Sequence, residues 1–338
     1  SVPFAVGPAA WDFAAYTAAR SLFYQRCGFP GGLTPPHADP RFARPACHQH
    51  EVAPNETAAY LGQEVPLHAT DAAYHWSIHG SGLDGGEEVG PELRKDTHGG
   101  HHDAGDYNRY VPSATEFVWM MLVGLDIAPD AFADDQWDIP ESGNGVPDLL
   151  DEVRWEVEAR VRMARADGAA YHKVSSCTWF LSMPHEEVGP RYLFAPTTHD
   201  TADLIAVLAS AARAWRPYDP SLAAAWLDLA QRAWALLQQT PETPAGGFTN
   251  PSGPADCPGS TGEYGDEFDA DNRLRAAAEL FRATGNASYH AYLLAWFAHP
   301  TYTNGNSGAG AGMYPQAYWA YLMAAEEWDR GVGRAAPD

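Results

Sequence analysis

Apolar residues recur every three or four positions along most of this chain, the spacing of helices with one buried face. The first such segment covers residues 11–23. A second is expected to start at a Ser113 N-cap, and a third to carry Pro147 in its first turn. Five further helices are predicted at residues 201–215, 221–237, 271–284, 289–297 and 316–328. The pattern therefore predicts an all-α protein.

Long segments rich in Pro, Gly and His connect these helices, at residues 28–100, 165–197, 240–268 and 299–315. No alternation of apolar and polar residues is long enough to predict a sheet of any size. Loops of this length in a compact domain are usually either functional or disordered. The His, Asp and Gly clusters that they carry favour function. We predict a single all-helical domain over residues 1–338, with its long loops gathered at one end.

The charge balance narrows the classes of function. With 44 acidic and 21 basic residues, the net charge is -23, so no basic face is expected for nucleic acid or an anionic membrane. No apolar run reaches the length of a bilayer span. No signal peptide precedes Ser1, which fits a cytoplasmic protein or a processed secreted one. The cysteines allow disulfides without requiring them, and Cys177 and Cys257 are expected to be free thiols.

Residues 99–107, called here the aspartate turn, hold the densest candidate chemistry. Asp103 and Asp106 lie three positions apart among glycines, which permit a sharp turn and the close approach of a ligand. Two carboxylates at this spacing can face one water molecule or one cation. An exposed Asp/Gly turn is the alternative for an isolated pair of this kind. The interpretation therefore depends on the rest of the chain.

Four segments, in order, resemble glycoside hydrolase family 9. They are residues 100–110 (GHHDAGDYNRY), 139–152 (IPESGNGVPDLLDE), 171–176 (YHKVSS) and 269–285 (DADNRLRAAAELFRATG). Each alone is weak evidence, but together they extend the similarity over most of the chain. The first departs from the family pattern at His101, where the family usually has tryptophan.

The resemblance implies an (α/α)6 toroid of paired helices and inverting cleavage of β-1,4-glycosidic bonds. In such enzymes one carboxylate activates a water molecule and an acid roughly 6.5–9.5 Å away protonates the leaving oxygen. By the motif match, Asp106 is the expected general base, and Asp103 shares in holding the water. The resemblance also suggests His101, Tyr107 and His172 as substrate contacts.

The family's catalytic acid is a glutamate on a late loop, and no segment resembling it precedes Asp338. The last matched helix, near Tyr318, corresponds to a position about two-thirds of the way round the toroid. We therefore expect a toroid that is incomplete at the C-terminus of this chain, with the acid unidentified. Glu326 and Glu327 lie on a helix face and are expected to be solvated.

Thiolate and imidazole groups near the N-terminus suit a tetrahedral zinc ion. Cys27, Cys47 and His48 are the first three candidates, and a disulfide between the two cysteines is the alternative. Some family members carry a structural zinc with a similar pattern, which favours the metal. His102 is the preferred fourth ligand because it adjoins the aspartate turn. The other candidates for that position are His50, His75 and His101.

Two groups of oxygen-bearing side chains are candidates for structural calcium. The first resembles a calcium site of the family and consists of Asp266, Asp269, Asp271 and Asn272. The second, a weaker candidate, consists of Glu141, Asn144, Asp148 and Asp151. The alternative for both groups is helix N-capping, since the helix dipole also favours acidic groups at these positions.

The leading hypothesis is a secreted enzyme that hydrolyses cellulose or a related β-1,4-glucan by inversion. Accessory carbohydrate-binding or immunoglobulin-like modules are expected outside this chain. One alternative is an exo-acting β-glycosidase on amino-sugar oligomers, because the acidic balance and the His- and Glu-rich stretch at 49–101 suit a cationic substrate. The other is a non-catalytic carbohydrate-binding form that lacks the acid segment.

Overall fold

A computed structural model describes residues 7, 12–48, 52–54, 58–60, 63–65, 94–165, 167–176, 179–187, 191–194, 196–239, 248, 250, 261–266, 269–297 and 314–329. The predictions made for His50, His75, Cys177 and Cys257 lie outside these residues.

Eight α-helices run through the described residues: α1 Asp12–Gln25, α2 Val111–Ile127, α3 Asp148–Arg162, α4 Thr198–Trp215, α5 Pro220–Gln239, α6 Ala270–Thr284, α7 Ala287–Phe297 and α8 Tyr314–Asp329. Each predicted helix is present, and the all-α prediction is confirmed. Several helices begin one to three residues earlier than expected, and Pro147, which was expected in the first turn of α3, is instead its N-cap. Two of the starts have a clear local cause. α2 begins at Val111, two residues before the expected cap at Ser113, because Pro112 fits its first turn. α4 begins at Thr198, where the Thr197 hydroxyl accepts the Asp200 N–H at 3.0 Å.

The helices form an inner and an outer layer. α4 and α6 are buried on nearly all sides, and small residues such as Ala206 and Ala277 let neighbouring helices approach closely. The outer helix α5 instead buries one stripe that includes Trp226 and Ala230. Such pairing of buried and amphipathic helices follows from the 3.6-residue period of the sequence. None of the helices among the described residues is both long and apolar enough to cross a bilayer.

Ion pairs reinforce the contact between α6 and α8. Arg282 binds Glu327 at 2.5 Å and Asp126 of α2 at 2.7 Å. The expectation that Glu327 is simply solvated was therefore wrong, because a buried guanidinium on α6 holds it. Glu326 is exposed, as expected.

Between the helices, the described ranges contain nine short strands: β1 Val52–Pro54, β2 Ala58–Tyr60, β3 Gln63–Val65, β4 Arg94–Asp96, β5 Arg109–Tyr110, β6 Ala170–Tyr171, β7 Lys173–Ser176, β8 Arg191–Leu193 and β9 Pro196–Thr197. They pair antiparallel as β1–β4, β2–β3, β5–β7–β8 and β6–β9. The sequence did not predict these ribbons because strands of two to four residues are too short to show alternation.

The aspartate turn, residues 99–107, is held between the end of α1 and the side of α3. Gly100 O accepts hydrogen bonds from the Cys27 N–H at 2.7 Å and from the Trp155 indole at 2.9 Å. Gly100 has a φ of 74°, and a Cβ there would lie 2.8 Å from Arg160 Nη2. Glycine is thus needed at this position for both its conformation and its small size.

Candidate active site and metal-binding clusters

Asp106 is the buried carboxylate of the aspartate turn, with 2% of its surface exposed. Its Oδ2 accepts hydrogen bonds from Asn108 Nδ2 at 2.7 Å and from Tyr110 Oη at 2.9 Å. Its Oδ1 has no hydrogen-bond partner within the described part of the chain. Burial raises the pKa of Asp106 and the charge of Asp103 raises it further, against the opposing hydrogen bonds. The carboxylate is fixed by one oxygen and has the other available to bind water.

Asp103 lies beside Asp106 but is more exposed, and it has a tyrosine donor of its own. Tyr264 Oη donates to Asp103 Oδ2 at 2.6 Å. The rings of Tyr264 and Tyr110 are 4.6 Å apart, so the two phenols that bind the aspartates also pack together. Burial and then the Asp103 carboxylate raise the pKa of Tyr264, which keeps the phenol protonated as a donor. Sequence reasoning did not identify Tyr264.

The segment that carries Tyr264, residues 261–266, is held by hydrogen bonds from two adjacent residues, His172 and Lys173, at the start of β7. Lys173 Nζ donates to Gly262 O at 2.6 Å, and His172 Nε2 lies 2.7 Å from Glu263 O. Burial lowers the pKa of Lys173 to about 7, against the pull of nearby carboxylates. These contacts explain why His and Lys are adjacent in the 171–176 motif, since each binds a successive carbonyl of one loop.

His101 and His172, both expected to contact substrate, are instead engaged inside the protein. His172 is fully buried, with Nδ1 2.7 Å from Asp200 Oδ2. His101 lies between Glu152 Oε2 at 2.9 Å and Glu156 Oε2 at 2.8 Å. Burial disfavours the charged ring, but these two carboxylates raise the pKa of His101 above its ordinary value. The ring nitrogens of both residues thus bind protein groups in this structure, and a contact of either residue with substrate stays a prediction.

Tyr107, the third expected substrate contact, lies on the surface next to the aspartate pair. Its hydroxyl donates to Ser182 O, which joins the aspartate turn to residues 179–187. Together with Tyr24, Ala104 and Met183 it lines an open groove. Its role in binding a sugar stays a prediction.

Four side chains that could bind a metal ion lie close together at the aspartate turn. The ligand atoms of Cys27, Cys47, His48 and His102 all lie within 4.8 Å of one another. Cys27 Sγ is 3.4 Å from His48 Nδ1, and Cys47 Sγ is 3.6 Å from His102 Nε2. No disulfide joins the two buried cysteines. His102 therefore completes the group as predicted, whereas His101 is bound elsewhere.

The protonation of this group suits metal binding. Hydrogen bonds from Cys27 and then from the two histidines hold the pKa of Cys47 far below its usual range, despite burial. Burial lowers the pKa of His102 to about 4, so the imidazole is neutral. A thiolate and a neutral imidazole are the forms that coordinate a metal ion.

Two charged residues contact the cluster from outside. Arg44 Nη1 donates to Cys47 Sγ at 3.0 Å. Glu187 Oε2 lies 3.2 Å from His48 Nε2, the ring nitrogen opposite the one that faces Cys27. A carboxylate in this position orients a histidine ligand and increases its basicity. Sequence spacing gave no signal for either residue.

The first predicted calcium group lies at the start of α6. Asp269 occupies the N-cap position, but its side chain makes no capping hydrogen bond and instead binds Arg273 Nη2 at 3.0 Å. Asp271 and Asn272 are buried, and Asn272 Oδ1 has no hydrogen-bond partner among the described residues. Asp266 is partly exposed nearby in sequence. The group therefore contains oxygen atoms of the kind that bind calcium. The Asp269 side chain does not cap α6, because it binds Arg273 instead.

The side chains of the second predicted calcium group lie before α3 and in its first turn, where most of them bind protein groups. Glu141 binds Arg26 Nη1 at 2.8 Å. Asp148 is buried and accepts three backbone N–H groups and one hydroxyl from the preceding loop. Asn144 Nδ2 donates to Asp151 at 3.1 and 3.2 Å. Protein donors thus hold most of these oxygens, whereas Glu141 Oε2 has no hydrogen-bond partner among the described residues, and calcium binding by this group stays a prediction.

The layered helices and the aspartate pair on a glycine turn define a toroidal helical protein of the glycoside hydrolase type. Residues 11–331 match glycosyl hydrolase family 9, and the chain belongs to this family. The resemblance stated from the four motifs is therefore confirmed, as is the toroid fold class.

Several relatives and solved structures are similar to this chain. Endoglucanase D of Acetivibrio thermocellus is 38% identical over 204 residues, which is 59% of this chain and 31% of that protein. The cellulose 1,4-beta-cellobiosidase of the same organism is 35% identical over 216 residues, with 59% and 24% covered. A metagenome-derived family 9 endoglucanase has a TM-score of 0.71 and 33% identity, with 97% of this chain and 54% of that chain covered.

A zinc-binding triple mutant of the family 9 endoglucanase J30 has a TM-score of 0.69 and 27% identity. The match covers 99% of this chain and 60% of that one. The chain thus spans less than a third of the two curated relatives and somewhat more than half of these structures.

Proposed function

We propose that this chain carries the water-activating part of an inverting β-1,4-glucan hydrolase, with Asp106 as general base. The observation that supports it is the environment of Asp106: one carboxylate oxygen is held by Asn108 and Tyr110, and the other has no donor among the residues that the structure describes. Asp103 adjoins it and is held by Tyr264. A base that is fixed but not saturated by hydrogen bonds is suited to accept a proton from water.

In the proposed step, the water oxygen attacks the anomeric carbon as the bond from that carbon to the leaving oxygen breaks. Asp106 Oδ1 accepts one proton from the water, and Asp103 binds the same water. The leaving oxygen takes its proton from a carboxylic acid on the opposite side of the sugar. We assign that acid to no residue of this chain.

The substrate class is supported by two of the relatives, which are an endoglucanase and a cellulose 1,4-beta-cellobiosidase. The groove lined by Tyr24, Tyr107 and Met183 lies beside the aspartate turn and offers aromatic surface to a sugar ring. We extend the proposal to an extracellular protein that acts on a β-1,4-glucan.

We also propose a structural Zn²⁺ bound by Cys27, Cys47, His48 and His102. Two thiolates and two imidazoles form a closed tetrahedral donor set that zinc prefers over harder cations. Such an ion would tie the end of α1 to the aspartate turn.

A structural Ca²⁺ near residues 266–272 remains part of the proposal, because the unpartnered Asn272 oxygen and the carboxylates around it suit a hard cation.

The test is Asp106→Asn, assayed for reducing sugar released from cello-oligosaccharides and from β-cellobiosyl fluoride, whose leaving group needs no acid. We expect hydrolysis to fall at least 100-fold, while circular dichroism stays unchanged. The matched control is Asp228→Asn, which removes an exposed carboxylate on α5.

Appreciable hydrolysis by Asp106→Asn would show that this residue is not the base. Cleavage of chito-oligosaccharides, but not of cello-oligosaccharides, would support the amino-sugar alternative. Binding of oligosaccharide without hydrolysis of either substrate by the wild-type chain would support the non-catalytic alternative.

A further inference from the structure

A second cluster of potential metal ligands lies apart from the Cys27 group. It consists of His172, which lies between β6 and β7, and of His199 and Asp200 in the first turn of α4. Their ligand atoms lie within 4.8 Å of one another, and the three residues are 0%, 1% and 0% exposed. The proposed hydrolytic step uses none of them.

The environment of His172 fixes which of its ring nitrogens faces the cluster. Nε2 donates to Glu263 O at 2.7 Å, so Nδ1 is the atom directed at Asp200 Oδ2, also at 2.7 Å. Histidine ligands of metal ions commonly donate their second ring N–H to a backbone carbonyl in this way. Thr197 Oγ1 donates to the same Asp200 oxygen and holds the carboxylate in place.

His199 is the member of the cluster whose ring nitrogens lack hydrogen bonds within the described residues. Its ring is nevertheless buried. Its Nε2 lies 3.3 Å from Asp200 Oδ2, so the ring is aimed into the cluster. Asp200 Oδ1 likewise has no hydrogen-bond partner in the described part of the chain. Buried polar atoms without partners cost about 1–3 kcal/mol each, so a missing bound species is the simplest explanation.

The charge around the cluster suits a cation. Asp266 and Asp269 contribute negative charge close to the His199 ring, in addition to Asp200. A divalent ion would be balanced by these carboxylates in an otherwise buried position.

We propose that His172 Nδ1, His199 Nε2 and an Asp200 carboxylate oxygen bind a divalent transition-metal ion of the Zn²⁺ type. Two imidazoles and one carboxylate favour zinc or a similar ion over calcium or magnesium, and water would complete the coordination. The assignment of this site does not rest on the proposed hydrolytic activity.

The position of the site indicates what the ion would do. It would join α4 to the residue between β6 and β7, and through the hydrogen bond from His172 to Glu263 it would support residues 261–266. That segment carries Tyr264, which donates to Asp103. The ion would therefore stabilise the support of the aspartate pair without contacting substrate.

The experiment is a titration of the metal-stripped 338-residue chain with Co²⁺ in excess Ca²⁺, which occupies sites made of oxygen alone. Co²⁺ bound by Cys27 and Cys47 gives a thiolate charge-transfer band in the near ultraviolet, whereas Co²⁺ at the His199 site gives visible d–d bands only. We expect a second equivalent of Co²⁺ that adds no charge transfer. His199→Phe should lose this equivalent and retain the first.

The matched control is His290→Phe, which removes a partly buried histidine of α7 that stacks on Phe281 of α6, and this variant should bind both equivalents. Asp200→Asn keeps the side-chain shape and should weaken the second site at least 10-fold, which provides a second variant if His199→Phe does not fold. The proposal is overturned if the wild-type chain binds no equivalent lacking charge transfer, or if folded His199→Phe still binds it. Those results would leave a buried His172–Asp200 ion pair only.

Discussion

Glu152→Gln tests how the aspartate turn is held on α3. Glu152 is completely buried, and its Oε2 accepts from Arg26 Nε at 3.0 Å and from the His101 ring at 2.9 Å. His101 lies only two residues before Asp103. Glutamine keeps the shape of the side chain but removes the charge that compensates Arg26 and His101.

The expected loss follows from these two contacts. A hydrogen bond to a charged group contributes about 1.5–3 kcal/mol, and removing one partner of a buried ion pair costs about 3–5 kcal/mol. Glu141 still pairs with Arg26, and Glu156 still pairs with His101, which offsets part of the loss. We therefore expect Glu152→Gln to lower the free energy of unfolding by about 3 kcal/mol.

Urea unfolding followed by tryptophan fluorescence measures this change. Glu158→Gln is the matched control on the same helix, because Glu158 pairs with Arg154 at 2.7 Å but is 31% exposed. It should cost less than about 0.5 kcal/mol. A loss below about 1 kcal/mol for Glu152→Gln would refute the reasoning, since the buried pair would then contribute no more than a surface pair.

The contacts of Glu152 with Arg26 and His101 also predict that the stability of the fold depends on pH. Burial alone would raise the pKa of Glu152, but Arg26 and His101 lower it below its ordinary value. A carboxylate with a lowered pKa stabilises the fold above its unfolded-state pKa, and this contribution is lost as the pH falls. The wild-type chain should therefore lose more stability on acidification than Glu152→Gln.

Three further predictions concern the site. In Asp103→Asn, the acid limb of the pH profile of kcat/KM should move to lower pH, because the charge of Asp103 contributes to the raised pKa of Asp106; an unchanged limb contradicts this coupling. Tyr264→Phe removes a 2.6 Å hydrogen bond to Asp103 and should reduce kcat about 10-fold, whereas full activity would show that this bond is unimportant. Glu187→Gln should weaken Zn²⁺ binding about 10–100-fold in competition with a chromophoric chelator, and equal affinity would show that Glu187 does not support His48.

The sequence predicted what local patterns and short motifs determine. Apolar periodicity located the helices, and the order of four motifs indicated the family and the toroid. The Cys27, Cys47, His48 and His102 group also converged as predicted, although the intervening chain is long.

The partners of the site side chains could not be predicted, because they come from segments far apart in the sequence and residue spacing carries no information about such contacts. Tyr264 reaches Asp103 across 161 positions. The ring nitrogens of His172 bind a carboxylate on α4 and a carbonyl of the 261–266 segment, and the motif alone predicted neither contact. Asp148 was read as a cation ligand because its type fits, but backbone N–H groups of a neighbouring loop occupy it.

The stereochemistry of hydrolysis tests the central claim most directly. Proton NMR during hydrolysis of β-cellobiosyl fluoride by the wild-type chain reports the anomer that forms first. Asp106 acting as base predicts α-cellobiose as the first product, and no release above background with Asp106→Asn. β-Cellobiose as the first product, or equal release by the variant, would contradict the assignment of Asp106 as the base of an inverting reaction.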